Sequence, residues 1–200
     1  MITVIDYDLG NLASVANALR KLEIPYDISG DIEVLKNSNA LILPGVGAAG
    51  QGMKNLKAKG IDKVVIEQIN KGIPILGICL GMQLLFSSSE EGDVECLGLV
   101  KGKVKKFSTT LKVPQIGWNQ IEKIEDSILL RDVKNNSYFY FVNSYYCEPD
   151  DGDTSNGKTE YGFKFCSVLE KDNIYGVQFH PEKSGDVGLR LLKNFWEVVC

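Results

Sequence analysis

Cys79 lies between two glycines in the segment Gly77-Ile-Cys-Leu-Gly81, a setting that suits a nucleophile. The segment closes an apolar run, residues 73–78, and opens a short helical pattern. A strand-to-helix elbow strains the backbone of its central residue, and side chains at the flanking positions would crowd it. The N-terminus of the following helix favours a thiolate. The pattern therefore predicts a catalytic cysteine; a buried free cysteine without chemistry is the common alternative.

His180 is the one histidine of the chain and ends another apolar run, residues 174–179. Pro181 removes a backbone donor and ends the strand, so Glu182 can reach back toward the imidazole. Because the carboxyl ends of parallel strands meet at one edge of a sheet, Cys79 and His180 are expected close together. Taken singly, a structural histidine and a solvated glutamate would be the simpler interpretations. Together with the cysteine, the three side chains indicate a nucleophile, a base and an orienting carboxylate.

A glycine run, Gly45-Val-Gly-Ala-Ala-Gly50, matches the G-x-G-x-x-G pattern of dinucleotide sites. Pro44 separates the run from the preceding strand, and that strand is the second rather than the first. No acidic residue ends a following strand about 20 residues on, where a dinucleotide site would need one. We therefore favour a glycine-rich backbone segment that forms half of an oxyanion hole, and an oxidoreductase ranks last.

The elements that must position these residues alternate in the first half of the chain. Apolar runs predict strands over residues 2–7, 40–43 and 73–78, and helical patterns cover residues 11–22, 53–59, 62–71 and 80–87. This rhythm predicts a three-layer α/β/α sandwich with a mostly parallel, flavodoxin-like sheet. Further strands at residues 100–107, 119–124, 138–142, 163–169 and 174–179 predict a small antiparallel extension. Residues 148–160 are predicted as an exposed loop, and residues 187–199 as a final helix.

Composition narrows the classes of function. The 200 residues predict a single domain, and a net charge of −4 without a basic run gives no reason to expect a nucleic-acid or membrane partner. The apolar start is too short for a signal peptide, and no apolar run reaches the roughly 20 residues of a membrane span. Five widely spaced cysteines argue against disulfides and zinc, and favour the reducing cytoplasm. No metal or organic cofactor is expected.

Several segments, in this order along the chain, resemble the class I, triad-type glutamine amidotransferases. They are Asp6-Tyr-Asp-Leu-Gly-Asn11, Leu43-Pro-Gly-Val-Gly47, Gly77-Ile-Cys-Leu-Gly-Met-Gln83, Pro114-Gln-Ile-Gly-Trp-Asn119, Tyr140-Phe-Val-Asn-Ser-Tyr145 and Gln178-Phe-His-Pro-Glu-Lys-Ser184. More narrowly, the chain resembles the glutaminase subunits of imidazole glycerol phosphate synthases over essentially its whole length. It departs from them at Asn143, where histidine is frequent, and near Ala49, where an aromatic residue is frequent.

The resemblance implies roles for individual residues of the matching segments. Cys79 is expected to be the nucleophile, His180 the general acid and base, and Glu182 its orienting partner. The backbone of Val46 and Leu80 would form the oxyanion hole. Glutamine would be held by Gly47, Gln83, Ser144 and Tyr145, and a partner subunit would be contacted by Asn11, Trp118, Tyr140 and Lys183. Two simpler interpretations stay open: Trp118 as a packed aromatic and Lys183 as a solvated cation.

The activity implied is hydrolysis of glutamine to glutamate and ammonia through a cysteine thioester. The ammonia would pass to a (β/α)8 barrel synthase in a heterodimer, for imidazole glycerol phosphate formation in histidine biosynthesis. Three alternatives stay open. The same chemistry could serve another amination synthase, the chain could be a γ-glutamyl hydrolase, or the fold could carry a non-catalytic binding module.

Overall fold

The computed structural model describes residues 1–108, 110, 112–124 and 127–199. Its helices are α1 Leu12–Lys21, α2 Ile32–Lys36, α3 Ala49–Ala58, α4 Ile61–Asn70, α5 Leu80–Leu84 and α6 Gly185–Val199. Its strands are β1 Ile2–Ile5, β2 Tyr26–Ser29, β3 Ala40–Leu43, β4 Ile75–Ile78, β5 Phe86–Ser89, β6 Val94–Glu95, β7 Val100–Lys106, β8 Gln115–Lys123, β9 Ser137–Asn143, β10 Tyr145–Pro149, β11 Ser155–Glu160, β12 Lys164–Lys171 and β13 Ile174–Val177. Two short 3-10 turns cover Gly152–Thr154 and Pro181–Lys183.

Five strands form a parallel sheet in the order β2-β1-β3-β4-β13. Strand β3 shows how this sheet separates two helical layers. Ala40 and Ile42 pack with buried residues of α1 and α6, whereas Leu41 and Leu43 pack with those of α2, α3, α4 and α5. Since alternate residues of a strand point to opposite faces, both faces of the sheet are buried. The predicted α/β/α sandwich is confirmed.

The predicted extension contains more strands than expected, and its pairs are antiparallel except for β5 with β7, which is parallel. Beyond β13 the sheet continues through β12, β10, β7, β5 and β6, and a branch leads from β12 through β11 and β8 to β9. The predicted exposed loop at residues 148–160 is wrong at its start, where Glu148 and Pro149 pair with β7 as part of β10. It is also wrong over its second half, because β11 pairs with both β12 and β8. Ser155 and Thr159 are buried there, and Gly157 fits where an added Cβ would lie 2.9 Å from Val168. Small polar residues allow this close packing, although in a sequence they are typical of a turn.

Three other elements differ from the prediction. Strand β2 and helix α2 were not predicted, because β2 is a half-exposed strand and α2 has only five residues. The helix predicted to run to residue 87 ends at Leu84, and Phe86 instead begins β5, which pairs with both β7 and β6. Tertiary pairing overrides local propensity there. No helix in the described part of the chain has the length and apolar character needed to cross a membrane.

Candidate active site

Cys79 stands at the elbow between β4 and α5. Its backbone adopts φ 54° and ψ −109°, a strained conformation for a residue with a side chain. The amide N–H of Cys79 donates to the Val177 carbonyl at 2.8 Å, which fixes the elbow to the neighbouring strand β13. The flanking glycines are required sterically: a Cβ on Gly81 would lie 1.7 Å from the Leu43 carbonyl oxygen, and one on Gly77 would lie 2.7 Å from the Met82 amide nitrogen. The predicted strand-to-helix elbow is present at Cys79.

His180 and Glu182 form the second part of the site. Val177 of β13 lies opposite Ile78 of β4 in parallel register, so the residues after both strands meet at one sheet edge. The His180 Nδ1 and Glu182 Oε1 atoms are 2.8 Å apart, and both side chains are buried. A hydrogen bond of 2.9 Å from the His180 amide N–H to the Tyr140 carbonyl holds the backbone. The imidazole is therefore oriented through its Nδ1 atom, which leaves its Nε2 atom available to the Cys79 thiol.

The charge environment favours an imidazolium at His180. Burial acts to lower the pKa of His180, but attraction to Cys79 and to Glu182 outweighs it and raises the pKa from 6.5 to about 10. The Nε2 atom makes no well-formed hydrogen bond to a described residue in the resting site. We therefore attribute the attraction to Cys79 to charge at close range. The arrangement can supply a thiolate nucleophile and a proton donor together.

Replacing Glu182 by glutamine should destabilise the protonated form of His180. Loss of the carboxylate charge is expected to lower the pKa of His180 from about 10, so the alkaline loss of activity moves to lower pH. Loss of orientation should also reduce kcat by about 10²–10⁴. A pH profile of glutamine hydrolysis measures both effects, with Glu95→Gln, an exposed acid elsewhere, as the matched control. An unshifted alkaline limb in Glu182→Gln would contradict this account.

A cavity of about 350 Å³ opens beside Cys79. It collects residues that the sequence assigned to the oxyanion hole, to substrate binding and to catalysis. Its lining comprises Val46, Gly47, Cys79, Leu80, Gln83, Glu91, Pro114, Val142, Asn143, Ser144, Tyr145 and His180. All the predicted oxyanion-hole and substrate residues thus surround one space, large enough for an amino acid. Leu80 is the first residue of α5, where a backbone N–H has no intrahelical acceptor.

The glycine run forms one wall of this cavity through Val46 and Gly47. Helix α3 begins within the run at Ala49, and the amide N–H of Ala49 donates to Glu91 Oε2 at 2.8 Å. A dinucleotide site would place a phosphate at this helix N-terminus, where the Glu91 carboxylate already lies. The site geometry therefore disfavours nucleotide binding, in agreement with the sequence analysis.

The Gln83 amide is oriented by two acceptors. Its Nε2 atom donates to the Tyr145 carbonyl at 3.3 Å and to Gln178 Oε1 at 3.0 Å. The Gln83 carbonyl oxygen is thereby directed away from both acceptors. Such an oxygen could accept from an ammonium group of a ligand in the cavity. The backbone of Tyr145 helps to orient Gln83 and also accepts from the Asn143 side chain at 2.9 Å.

Two of the residues predicted to meet a partner, Trp118 and Tyr140, lie on the strand pair formed by β8 and β9. Its inner face is buried and includes Ile121, Phe139 and Phe141, while its outer face exposes apolar and aromatic side chains. That outer face, which we call the aromatic face, consists of Ile116, Trp118, Tyr138 and Tyr140. Trp118 is 56% exposed, and its ring stands edge-on to Tyr140 with ring centroids 6.0 Å apart. Trp118 is therefore largely exposed rather than packed into the core.

The other two predicted partner residues differ in character. Lys183 is exposed in the turn that follows His180. Asn11 is half-buried and is the N-cap of α1, where its side chain accepts from the Ser14 amide N–H at 3.2 Å. Helix α1 packs against the turn that carries Lys183, so both residues lie near the triad. A structural role for Asn11 is thus visible beside the predicted one.

Three residues of the site were not assigned from the sequence. Glu91 lines the cavity but follows the serine-rich strand β5 with no recognisable motif. The Val142 carbonyl oxygen lies 3.9 Å from Cys79 Sγ, a contact that only the tertiary fold brings about. Gln178 Nε2 lies 3.7 Å from the same sulfur. Its place two residues before His180 was the one signal available.

Of the two departures from the family pattern, Asn143 lines the cavity and Ala49 does not. Asn143 is buried, and its Oδ1 atom has no hydrogen-bond partner among the described residues. Ala49 is buried at the start of α3. In the described part of the chain, no group of three or more His, Cys, Asp or Glu side chains could hold a metal ion.

Comparison with known proteins agrees with this geometry. The family model for glutamine amidotransferase class-I matches residues 3–198. The imidazole glycerol phosphate synthase subunit HisH of Chlorobaculum tepidum is 48% identical over 98% of this chain and 100% of its own length. Subunit HisH 1 of Methanococcus maripaludis is 44% identical over 100% of both chains. A solved glutamine amidotransferase superposes with a TM-score of 0.79 at 18% identity, covering 100% of this chain and 99% of the other, which shows the shared fold. With its cysteine elbow, buried histidine–glutamate pair and enclosed cavity, the chain belongs to the class-I glutamine amidotransferases and, among them, to the imidazole glycerol phosphate synthase subunit HisH proteins.

Proposed function

We propose that this chain is the glutaminase subunit of an imidazole glycerol phosphate synthase and that it supplies ammonia for histidine biosynthesis. The observation that carries the proposal is the position of Cys79 and His180 at one cavity, with Glu182 paired to the histidine, in a chain closely similar to HisH subunits. We regard residues 1–200 as one domain, since β4 and β13 of the continuous sheet provide the two halves of the site. We place the chain in the cytoplasm, because its four described cysteines are free thiols.

In the first half-reaction, the Cys79 thiolate attacks the side-chain carbonyl carbon of glutamine. The carbonyl oxygen becomes an oxyanion, which the backbone N–H groups of Val46 and Leu80 stabilise. The imidazolium of His180 gives its Nε2 proton to the amide nitrogen, the C–N bond breaks, and ammonia leaves. A glutamyl thioester on Cys79 remains.

In the second half-reaction, His180 is neutral and takes a proton from water, which attacks the thioester. The tetrahedral intermediate collapses and returns the electron pair of the C–S bond to sulfur. Glutamate is released, and the Cys79 thiolate and His180 imidazolium pair is restored. Glu182 stabilises the imidazolium and keeps Nδ1 as the donor to its own carboxylate.

Glutamine is held at its amino-acid end by the far wall of the cavity. We assign its α-ammonium group to the Glu91 carboxylate and the Gln83 side-chain oxygen, which are acceptors. Gly47, Ser144 and Tyr145 also line the cavity, and their backbone groups can contact the bound glutamine. This placement leaves the carboxamide directed toward Cys79.

The aromatic face of β8 and β9 is the proposed docking surface for a (β/α)8 barrel partner. Its strand β9 continues into Val142, which lines the cavity, so docking would cover the exit of the site. Tyr140 connects the two regions: its carbonyl accepts from the His180 N–H at 2.9 Å, and its N–H donates to Ser184 Oγ at 3.0 Å. Asn11 and Lys183 would extend the contact. Ammonia would then pass to the barrel rather than into solvent.

The test is glutamine hydrolysis by this chain alone and with the barrel subunit of imidazole glycerol phosphate synthase. The partner should raise kcat/KM at least about 5-fold.

Trp118→Ala should weaken the complex by about 2 kcal/mol, or about 30-fold in Kd, because a central aromatic anchor is lost. Ile128→Ala, an exposed apolar residue elsewhere, serves as the control. If only a different synthase activated the chain, the proposed glutamine hydrolysis would stand, but the assignment to histidine biosynthesis would be wrong.

A further inference from the structure

Gln178 contacts the Cys79 sulfur from outside the cavity. The residue is fully buried and is absent from the cavity lining, yet its Nε2 atom lies 3.7 Å from Cys79 Sγ. Among the described residues its side chain pairs with no ionised Asp, Glu, Lys or Arg, and its backbone N–H donates to the Ser167 carbonyl at 3.0 Å. A buried amide is costly unless each polar atom is used. The contact with sulfur therefore calls for a functional explanation.

The orientation of the Gln178 amide follows from its neighbours. The Tyr145 carbonyl can only accept, so Gln83 must turn its NH2 group toward it, at 3.3 Å. The same NH2 group of Gln83 faces Gln178 at 3.0 Å and requires an acceptor there. Gln178 must therefore present its oxygen to Gln83, and its own NH2 group is left to point at the sulfur. The chain of amides fixes a donor, rather than an acceptor, beside Cys79.

We propose that Gln178 is a further catalytic residue of the glutaminase, whose side-chain N–H stabilises the Cys79 thiolate. This inference rests on the proposed function and deepens it. A neutral thiol is a weak acceptor, whereas a thiolate accepts an N–H strongly. The donor therefore favours the charged nucleophile over its protonated form. Because Gln178 lies outside the cavity, it can keep this contact while glutamine occupies the other side of the sulfur.

The contact acts twice in the reaction. Before attack it increases the fraction of Cys79 present as thiolate. In the second half-reaction the C–S bond breaks and its electron pair returns to sulfur, so negative charge develops where the Gln178 N–H points. A preorganised donor at that position stabilises the departing thiolate. Gln83, which orients Gln178 and also lines the cavity, links the substrate wall to the nucleophile.

Several titratable groups in the described part of the chain act on Cys79 or lie near it. His180 follows β13, Tyr7 follows β1, and Cys147 lies in β10. Glu91 lies on the cavity wall. Substitution of Gln178 changes none of these groups, so a shift in the titration of the sulfur would report the lost donor itself.

The experiment is the pH dependence of Cys79 alkylation by iodoacetamide, followed by mass spectrometry of the Cys79 peptide in the complex with the barrel subunit. Gln178→Met keeps the length of the side chain and removes the donor. We expect the acidic midpoint of alkylation to rise by about one unit, a tenfold loss of thiolate below it. Burial raises the pKa of Cys96 and of Cys166 to about 11, so these thiols react slowly near neutral pH.

The matched control is Gln68→Met, which removes another buried amide, one that donates to the Leu35 and Lys36 carbonyls. It should lower stability without moving the Cys79 midpoint. If Gln178→Met does not fold, Gln178→Asn tests the same point, because its shorter amide withdraws from the sulfur. An unchanged midpoint in a folded Gln178 variant would overturn the inference. Failure of the parent to hydrolyse glutamine would instead overturn the proposed function, which is a separate result.

Discussion

Cys79→Ala is expected to abolish glutamine hydrolysis by the complex, with a loss in kcat of at least about 10⁴. The side chain is small and the alanine keeps the elbow, so the fold should persist. Without sulfur no thioester can form, and the oxyanion hole alone leaves only a small residual rate over water. Steady-state assay of glutamate release measures the loss, and urea unfolding of the variant checks the fold.

The control for that variant is Cys96→Ala. Cys96 is half-buried, and its Sγ donates to the Val94 carbonyl at 3.8 Å. It does not line the cavity, so its loss should leave the rate unchanged. Hydrolysis by Cys79→Ala at the parental rate would remove the nucleophile from this account.

Gly81→Ala is expected to destabilise the protein by at least about 3 kcal/mol and to inactivate it. The added Cβ would lie 1.7 Å from the Leu43 carbonyl oxygen, which is backbone of the central strand β3. Neither atom can move without displacing β3 or the elbow that holds Cys79. Urea unfolding gives the change in free energy, and glutamine hydrolysis gives the change in rate.

Gly152→Ala is the matched control, since a Cβ there meets nothing within 4 Å and its φ is not in the left-handed region. Its stability should stay within about 0.5 kcal/mol of the parent. A Gly81→Ala variant as stable as Gly152→Ala would show that the elbow is not packed as described. The comparison separates the steric cost from the general cost of replacing a glycine.

The parallel half of the fold was predictable because each of its buried strands is a continuous apolar run. Ala40–Leu43 is buried on both faces, so no alternation obscures the pattern. The antiparallel half was harder, because β11 is made of Ser, Asn, Gly, Lys, Thr and Glu. Its burial comes from pairing with β8 and β12, which are distant in sequence. Local composition alone could not reveal that strand.

The residues of the site likewise fall into two groups, those that a sequence motif indicates and those that only the fold brings together. Cys79, His180 and Glu182 carry short motifs, and the register of β4 and β13 brings the motifs together as the sequence suggested. Glu91 and Val142 carry no motif, and only the fold brings them to the cavity. Residues whose chemistry depends on a neighbour's backbone or charge leave no local pattern in the sequence. This is why the sequence pointed to the three proposed triad residues and not to part of their surroundings.

The most direct test of the central claim is covalent labelling of the complex by a glutamine analogue with an electrophilic chloroketone in place of the carboxamide. We expect one label per chain, on Cys79, with protection by glutamine and loss of hydrolysis in proportion to labelling. Burial raises the pKa of Cys147 and of Cys166, which should keep those thiols unlabelled. Labelling of another cysteine, or labelling of Cys79 that leaves hydrolysis intact, would contradict the account.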